Sequence, residues 1–227
     1  CNTIKVPNCE ESKDTACFRG AFRTILGAPI ESVEVCAPDY PDLGCVMTDE
    51  EGGWKIPGFP LDTNVFVTAE HPDYVSVLFP QHTSMSWYDW YKVSFPPTVM
   101  ETNANQLDLT LREDRGHLLF LTWEGLNIDG VDTDNISNVT GELADNTGRL
   151  FYANGIGLAS SDAEMTTNSG SGGVLNLEEG EYQMRLTAPS GQCAQDHMFH
   201  YQASNEWIPV PIREGFTTAI DVICPIE

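Results

Sequence analysis

The sequence predicts an all-β protein built as two tandem β-sandwiches, and three observations carry that expectation. First, 19 Gly and 14 Pro punctuate the 227 residues, a density that suits short strands joined by turns and leaves little room for helices. Second, Gln106-Leu107-Asp108-Leu109-Thr110-Leu111 and Glu181-Tyr182-Gln183-Met184-Arg185-Leu186-Thr187 alternate polar and apolar residues. That period of two marks a strand buried on one face. Third, the chain carries a faint repeat. At an offset of 119, Thr48 falls on Thr167, Gly53 on Gly172, Ile56 on Leu175, Val65 on Met184, Val67 on Leu186 and Thr68-Ala69 on Thr187-Ala188. Two copies of one strand sequence fit it.

The elements follow in order. Residues 1–16 form an N-terminal segment. A first sandwich over 17–113 has candidate strands at Cys17–Thr24, Ser32–Ala37, Cys45–Asp49, Trp54–Pro57, Asn64–Glu70, Tyr74–Phe79 and Gln106–Leu111. A second over 114–227 has them at His117–Trp123, Arg149–Ala153, Glu164–Thr167, Val174–Leu177, Glu181–Ala188, His197–Ala203, Trp207–Ile212 and Thr217–Cys224. Arg19-Gly20 and Arg115-Gly116 open the two halves, and the boundary is placed near Glu113-Asp114-Arg115. Gly27 and Pro29 make a turn, Asp49–Gly53 is a polar hairpin tip, and Gly170–Gly173 is a second turn.

The first half carries a recognisable series of motifs. It reads Arg19-Gly20, Gly27-Ala28-Pro29-Ile30, Val33-Glu34-Val35, Thr48-Asp49-Glu50-Glu51-Gly52, Trp54-Lys55-Ile56 and Thr68-Ala69-Glu70-His71-Pro72-Asp73-Tyr74. This resembles the carboxypeptidase regulatory-like domain, a transthyretin-like sandwich, with Asp73 where that family usually has Gly. The resemblance covers about a quarter of the chain. It implies an Ig-like or transthyretin-like fold in both halves and an accessory or structural module without catalytic residues of its own.

Charge narrows the partners. Lys and Arg number 11 against 34 Asp and Glu, a net −23 at pH 7. That excludes a nucleic-acid binder, whose phosphate-contacting surface needs basic residues, and disfavours an anionic bilayer. The halves share the charge, with seven basic and 18 acidic residues in 1–114 and four and 16 in 115–227. It therefore describes a solvated surface and not a tail. No apolar run approaches the roughly 18 residues of a membrane-spanning helix.

Seven cysteines is an odd number, and the chain starts at Cys1. A mature chain beginning at Cys resembles a bacterial lipoprotein, with Cys1 as the lipid attachment point. The other six pair completely, and local spacing favours Cys9–Cys17, Cys36–Cys45 and Cys193–Cys224. Such bridges imply an oxidising compartment. No C-x-x-C occurs, so neither a zinc ribbon nor thioredoxin-like chemistry is expected.

Catalytic motifs are missing. His71, His82, His117, His197 and His200 form no H-E-x-x-H, and no G-x-S-x-G elbow or P-loop occurs. His197 and His200, three apart, point to opposite faces of a strand. No cofactor is expected beyond a structural calcium ion, for which Asp129, Asp132 and Asp134 offer oxygen ligands. Asn135-Ile136-Ser137 and Asn138-Val139-Thr140 are glycosylation sequons, meaningful only in a eukaryotic secretory pathway. Between two candidate strands, Trp87, Tyr88, Trp90, Tyr91 and Phe95 form an aromatic loop, either an anchor for a partner or sugar or a cap on the core. The whole reads as a non-enzymatic, disulfide-stabilised envelope lipoprotein, a structural or accessory subunit among other envelope or extracellular proteins. The alternative is a carbohydrate- or calcium-dependent ligand-binding or adhesion module at the cell surface.

Overall fold

A computed structural model describes residues 6–10, 12–83, 87–124, 135–144, 148–155, 158–195 and 207–225, with backbone alone for 87–93 and 195. The chain divides into two compact units, Cys1–Pro97 and Thr98–Glu227. Both are β-sandwiches.

The first unit contains β1 (Thr15–Thr24), β2 (Glu34–Cys36), β3 (Cys45–Met47), β4 (Gly53–Pro60), β5 (Asn64–His71), β6 (Tyr74–His82) and β7 (Trp87–Ser94). One sheet runs β4-β1-β7, with β4 antiparallel and β7 parallel to β1. The other runs β6-β5-β2-β3, all antiparallel. Alternation explains both inner faces. Phe18 and Phe22 of β1, Trp54 and Ile56 of β4, and Val65, Val67 and Ala69 of β5 are all buried, each set on one side of its pleat. The aromatic rings close the layer: Phe18 meets Phe59 at 4.7 Å, and Phe22 meets Trp54 and Phe79 at 6.2 Å. Asp49–Gly53 is not a hairpin tip but the turn that carries the chain from β3 in one sheet to β4 in the other; there the Asp49 carboxylate accepts from the N–H groups of Glu51 (3.1 Å) and Gly53 (2.7 Å). Gly52 there has φ +78°, and a Cβ would collide with the Phe22 carbonyl oxygen, so the turn requires glycine.

The second unit begins within the first turn of α1 (Pro97–Gln106). It continues through β8 (Gly116–Glu124), β9 (Thr140–Leu143), β10 (Arg149–Ala153), β11 (Ala159–Ser160), β12 (Ser171–Leu177) and β13 (Gly180–Ala188). The last strands are β14 (Gly191–Gln192), β15 (Ala194–Gln195), β16 (Ile208–Ile212) and β17 (Thr217–Cys224). One sheet is ordered β11-β10-β12-β8-β17, with β15 on the end of β17. In the other, β13 lies between β9 and β16 and carries β14 as a short hairpin. Leu118, Phe120, Val174, Leu177, Met184, Leu186, Val210, Ile212, Ile220 and Val222 join the two layers in one core.

The two units share a topology. In each, the first strand pairs antiparallel with a later strand, β4 or β12, and parallel with the last strand, through eight residue pairs in β1–β7 and eight in β8–β17. In each, β5 or β13 lies between an early strand and its successor. A buried threonine clamp recurs as well. The Val33 N–H donates to Thr48 Oγ1 (2.9 Å), which donates to the Ile30 carbonyl (2.8 Å). The Val139 N–H donates to Thr166 Oγ1 (3.0 Å), which donates to the Ile136 carbonyl (3.1 Å). Backbone bonds complete each clamp: Ser32 to Thr48 and Thr48 to Val33, then Asn138 to Thr166 and Thr166 to Val139. Ser32 and Asn138 share a left-handed φ of 62° and 61°. Thr48 is therefore matched by Thr166, an offset of 118 and not the 119 read from the sequence. The Arg-Gly pairs do not correspond, because Arg19-Gly20 lies inside β1 whereas Arg115-Gly116 opens β8.

Several expected elements differ. Gln106–Leu111 is not a strand: α1 runs to Gln106 with Pro97 as its first residue, a favoured start. It closes in a Schellman turn. Leu109 N–H bonds the Ala104 carbonyl (2.8 Å), Asp108 N–H bonds the Asn105 carbonyl (3.2 Å), and Asp108 takes φ +55°. Polar–apolar alternation in four of those residues came from a helix end. Glu164–Thr167 is a turn-rich loop whose backbone serves the clamp, and Gly172-Gly173 lies within β12 and not in a turn. Strands β7 and β9 were not expected, and His197–Ala203 lies outside the described residues.

Candidate functional site

Two surfaces carry the candidate residues whose surroundings the structure describes. The first is the outer side of the β4-β1-β7 sheet. Residues before β1 are stitched onto it: Cys9 is bonded to Cys17, Arg19 Nη1 donates to the Pro7 carbonyl (3.3 Å) and Asn8 Oδ1 (3.1 Å), and Lys55 Nζ donates to the Asn8 carbonyl (3.0 Å). A Cβ on Gly53 would lie 2.8 Å from Pro7 Cδ, so this glycine makes room for the segment. The opposite edge of the sheet is β7. The aromatic segment is thus a strand and not a loop, in register with β1 as Cys17 with Trp87, Phe18 with Tyr88, Gly20 with Trp90 and Ala21 with Tyr91. A parallel neighbour supplies a ladder that a polar–apolar reading of the segment alone does not reveal. Phe95, just beyond, is half-buried and accepts the Val75 N–H at its carbonyl (3.1 Å). The side chains of Trp87, Tyr88, Trp90 and Tyr91, and all of Cys1, Asp129, Asp132, Asp134, His197 and His200, lie outside the described residues.

The second surface is the outer face of β9-β13-β14. A groove of about 420 Å³ is lined by Thr140, Gly141, Glu142, Arg185, Thr187 and Gln192. Thr187 is the direct cross-strand partner of both Thr140 and Gln192, and Arg185 that of Glu142. Arg185 forms an ion pair with Glu142, and its guanidinium sits 4.8 Å from the Trp207 ring centroid. Hydroxyls, an amide, a balanced charge pair and an indole so meet on one face. The alternation over Glu181–Thr187 predicts that Arg185 and Thr187 point outward. It does not reveal their neighbours, which come from β9 and β14.

The three described histidines, His71, His82 and His117, are each hydrogen-bonded within the fold. His82 is buried, with Nδ1 2.8 Å from Asn64 Oδ1 and Nε2 3.2 Å from Asp62 Oδ1. The His71 ring lies 5.1 Å from that of Tyr74, tilted by 56°, and accepts the Asp73 N–H (3.1 Å). His117 Nδ1 accepts the N–H of Asn176 (3.1 Å), which sits in a β12 bulge at φ +60°. Burial pushes the His117 imidazole down to about 4, so it is neutral at pH 7 and accepts at Nδ1. Asn176 in turn straps the chain before β8, accepting the Arg112 N–H and donating to the Thr110 carbonyl, each at 3.0 Å. Burial raises the Tyr152 phenol, opposed by the Gly141 N–H that its oxygen accepts at 2.7 Å. The Arg112 guanidinium, hydrogen-bonded to Asp114, holds that carboxyl below its ordinary value.

All three bridges are those that local spacing favours: Cys9–Cys17, Cys36–Cys45 and Cys193–Cys224. Among the described residues, no helix is long and apolar enough to cross a membrane.

No family model matches the chain, and no curated protein matches it in sequence. Solved structures with some likeness include the TIE protein of Bacillus anthracis, at 13% identity over 92% of this chain and 34% of that one, with a TM-score of 0.28. A streptococcal ancillary pilin gives 12% over 94% and 63%, at 0.27. The shaft pilin spaA of Lactobacillus rhamnosus GG gives 9% over 92% and 97%, at 0.25. The chain spans about a third of the first protein and under two thirds of the second. At these TM-scores the likeness carries no argument about fold or function.

Proposed function

We propose that this chain is a non-enzymatic, disulfide-stabilised cell-envelope lipoprotein that serves as a structural or accessory subunit of a larger membrane-associated or extracellular assembly. The observation that carries the reading is the use of cysteine. Three bridges take six of the seven cysteines and leave Cys1, the residue a lipid would occupy. Bridges of this kind belong to oxidising compartments. The Cys9–Cys17 bond and the Arg19 and Lys55 contacts then fix residues 7–9 to β1 and β4. A lipid on Cys1 would hold the first unit close to a bilayer, since the six residue steps from Cys1 to Pro7 span at most about 22 Å. The motif series over residues 19–74 supports an accessory module of the carboxypeptidase regulatory-like type, with Asp49–Gly53 forming the turn between β3 and β4.

Intact mass of protein from its native host, before and after reduction, tests the anchor: a diacyl or triacyl mass increment on Cys1 is expected, and an unmodified Cys1 overturns it. Cross-linking in mild detergent tests the assembly, and a solitary monomer overturns the subunit reading.

A second reading, carbohydrate binding, is favoured by the groove at Arg185, Glu142 and Thr187. Titration with cellohexaose, xylohexaose and chitohexaose should show saturable binding that Arg185→Ala abolishes. No binding by the wild type removes it.

A further inference from the structure

The three disulfides differ in access. Cys193, Cys224 and Cys17 are 4%, 1% and 4% exposed, whereas Cys45 is exposed and Cys36 half-buried. Cys36 and Cys45 are direct partners across β2 and β3, with Cα atoms 4.3 Å apart. Glu34 stands two residues before Cys36 on the same face of β2. Its carboxylate oxygen and the two sulfurs all lie within 4.8 Å of one another.

The backbone around this trio holds without the bridge. Glu34, Val35 and Cys36 pair with Met47, Val46 and Cys45. The Thr48 clamp on Val33 and Ile30 locks the open end of the hairpin. At the other end, Tyr40, Leu43 and Gly44 donate to Ala37, Tyr40 and Pro41 within the connecting turn. Opening the S–S bond therefore leaves two thiols facing each other on a fixed frame. Two thiolates bound tetrahedrally to zinc at about 2.3 Å sit about 3.7 Å apart, a separation reached by rotating χ1 with the strands in place. The donor set is two thiolates and one carboxylate, which suits zinc and not calcium or magnesium, whose sites are all oxygen.

We propose that Cys36, Cys45 and Glu34 form a thiol-gated zinc site. An external dithiol reduces the bridge, transferring two electrons and two protons and becoming a disulfide itself. The two protein thiols then lose their protons to solvent as Zn²⁺ binds both sulfurs and the Glu34 carboxylate, with water in the fourth position. An external disulfide then takes two electrons from the two thiolates and two protons from solvent, becoming a dithiol as the bridge closes and the metal leaves. The site is independent of the subunit reading. A C-x-x-C search misses it because its cysteines meet only across strands.

The test uses the full chain, limited phosphine reduction and Zn²⁺ alone as the probe. Alkylation mapped by mass spectrometry should label Cys36 and Cys45 before Cys193 and Cys224, and Zn²⁺ should block that labelling. Competition against a chromophoric chelator should show one Zn²⁺ per reduced chain and none per oxidised chain. Cys36→Ser with Cys45→Ser should abolish binding. Glu34→Gln, which keeps the bridge and so the fold, should weaken it at least about tenfold, since even outer partners of metal ligands are worth 10–100-fold. Zinc binding by the oxidised protein, undiminished binding by either variant, or no binding after reduction overturns the proposal.

Discussion

The two units solve one packing problem with exchanged residues. In the first, Gly20 of β1 stands opposite Trp54 of β4; at the matching place in the second, Phe120 of β8 stands opposite Gly172 of β12. The aromatic ring has moved to the partner strand and the glycine has moved the other way. The cause lies one strand further out. In the first unit β4 ends its sheet, whereas in the second β10 pairs with the far side of β12. A Cβ on Gly172 would lie 2.6 Å from the Phe151 carbonyl oxygen of β10 and 2.5 Å from Phe120 Cζ. With β10 in place only β8 has room for the ring. Cross-strand volume is preserved, and the residue that supplies it is not.

The largest expected effects test that exchange. Trp54→Ala and Phe120→Ala should each cost about 3–5 kcal/mol in urea unfolding, the usual penalty for emptying a buried aromatic site. Moving the ring, as Phe120→Gly with Gly172→Trp, should not recover stability, because the Phe151 carbonyl blocks it. Recovery to within 1 kcal/mol of wild type, roughly the scatter of such comparisons, would break the explanation.

Next comes pH, where the units differ. His117 occupies the place in β8 that Cys17 holds in β1, by the register of the two parallel ladders. Its pKa falls from 6.5 to about 4 on folding, so the unfolded chain binds the extra proton between those values. The stability it supports is fully present above about pH 6.5 and is lost as pH falls toward 4, by on the order of 3 kcal/mol. Urea midpoints across that range should decline in the wild type and decline less in His117→Gln. Equal slopes would remove His117 as the source.

A smaller effect sharpens the likeness. Thr48→Val strands the Val33 N–H and the Ile30 carbonyl, and Thr166→Val strands the Val139 N–H, at about 1–3 kcal/mol each. The second loss should be the smaller by no more than about 1 kcal/mol, because the Ile136 carbonyl still accepts from Thr122 Oγ1 (2.9 Å). A wide inequality would mean that the clamps are alike in geometry and not in energy. Smallest is the Arg185–Glu142 pair, 38% and 56% exposed: Glu142→Gln should change stability by about 1 kcal/mol or less.

Much of the fold was legible because its strands are half-buried and alternate. Arg149–Ala153 and Thr217–Cys224 fall on the expected residues. Alternation failed where the backbone turned left-handed: Asp108 ended a helix inside an apparent strand, and Asn176 put a bulge into β12. Long-range features were less legible still. The Thr48 clamp joins residues 15 and 18 apart, and no local pattern marks which threonine makes it, so the repeat was found with its offset one residue out. The groove at Arg185 draws on three strands, of which the sequence pattern exposed one.

The parallel ladders between first and last strands have a mechanical meaning. When a sandwich is pulled by its two ends, β1 is drawn one way and β7 the other, along the ladder that joins them, and the same holds for β8 and β17. Force then acts in shear on eight residue pairs together, where a hairpin pulled from its open end would unzip one pair at a time. Resistance under load is a matter of unfolding rate more than of equilibrium stability. Each unit has one such ladder, so each meets a pull on its own first and last strands in shear.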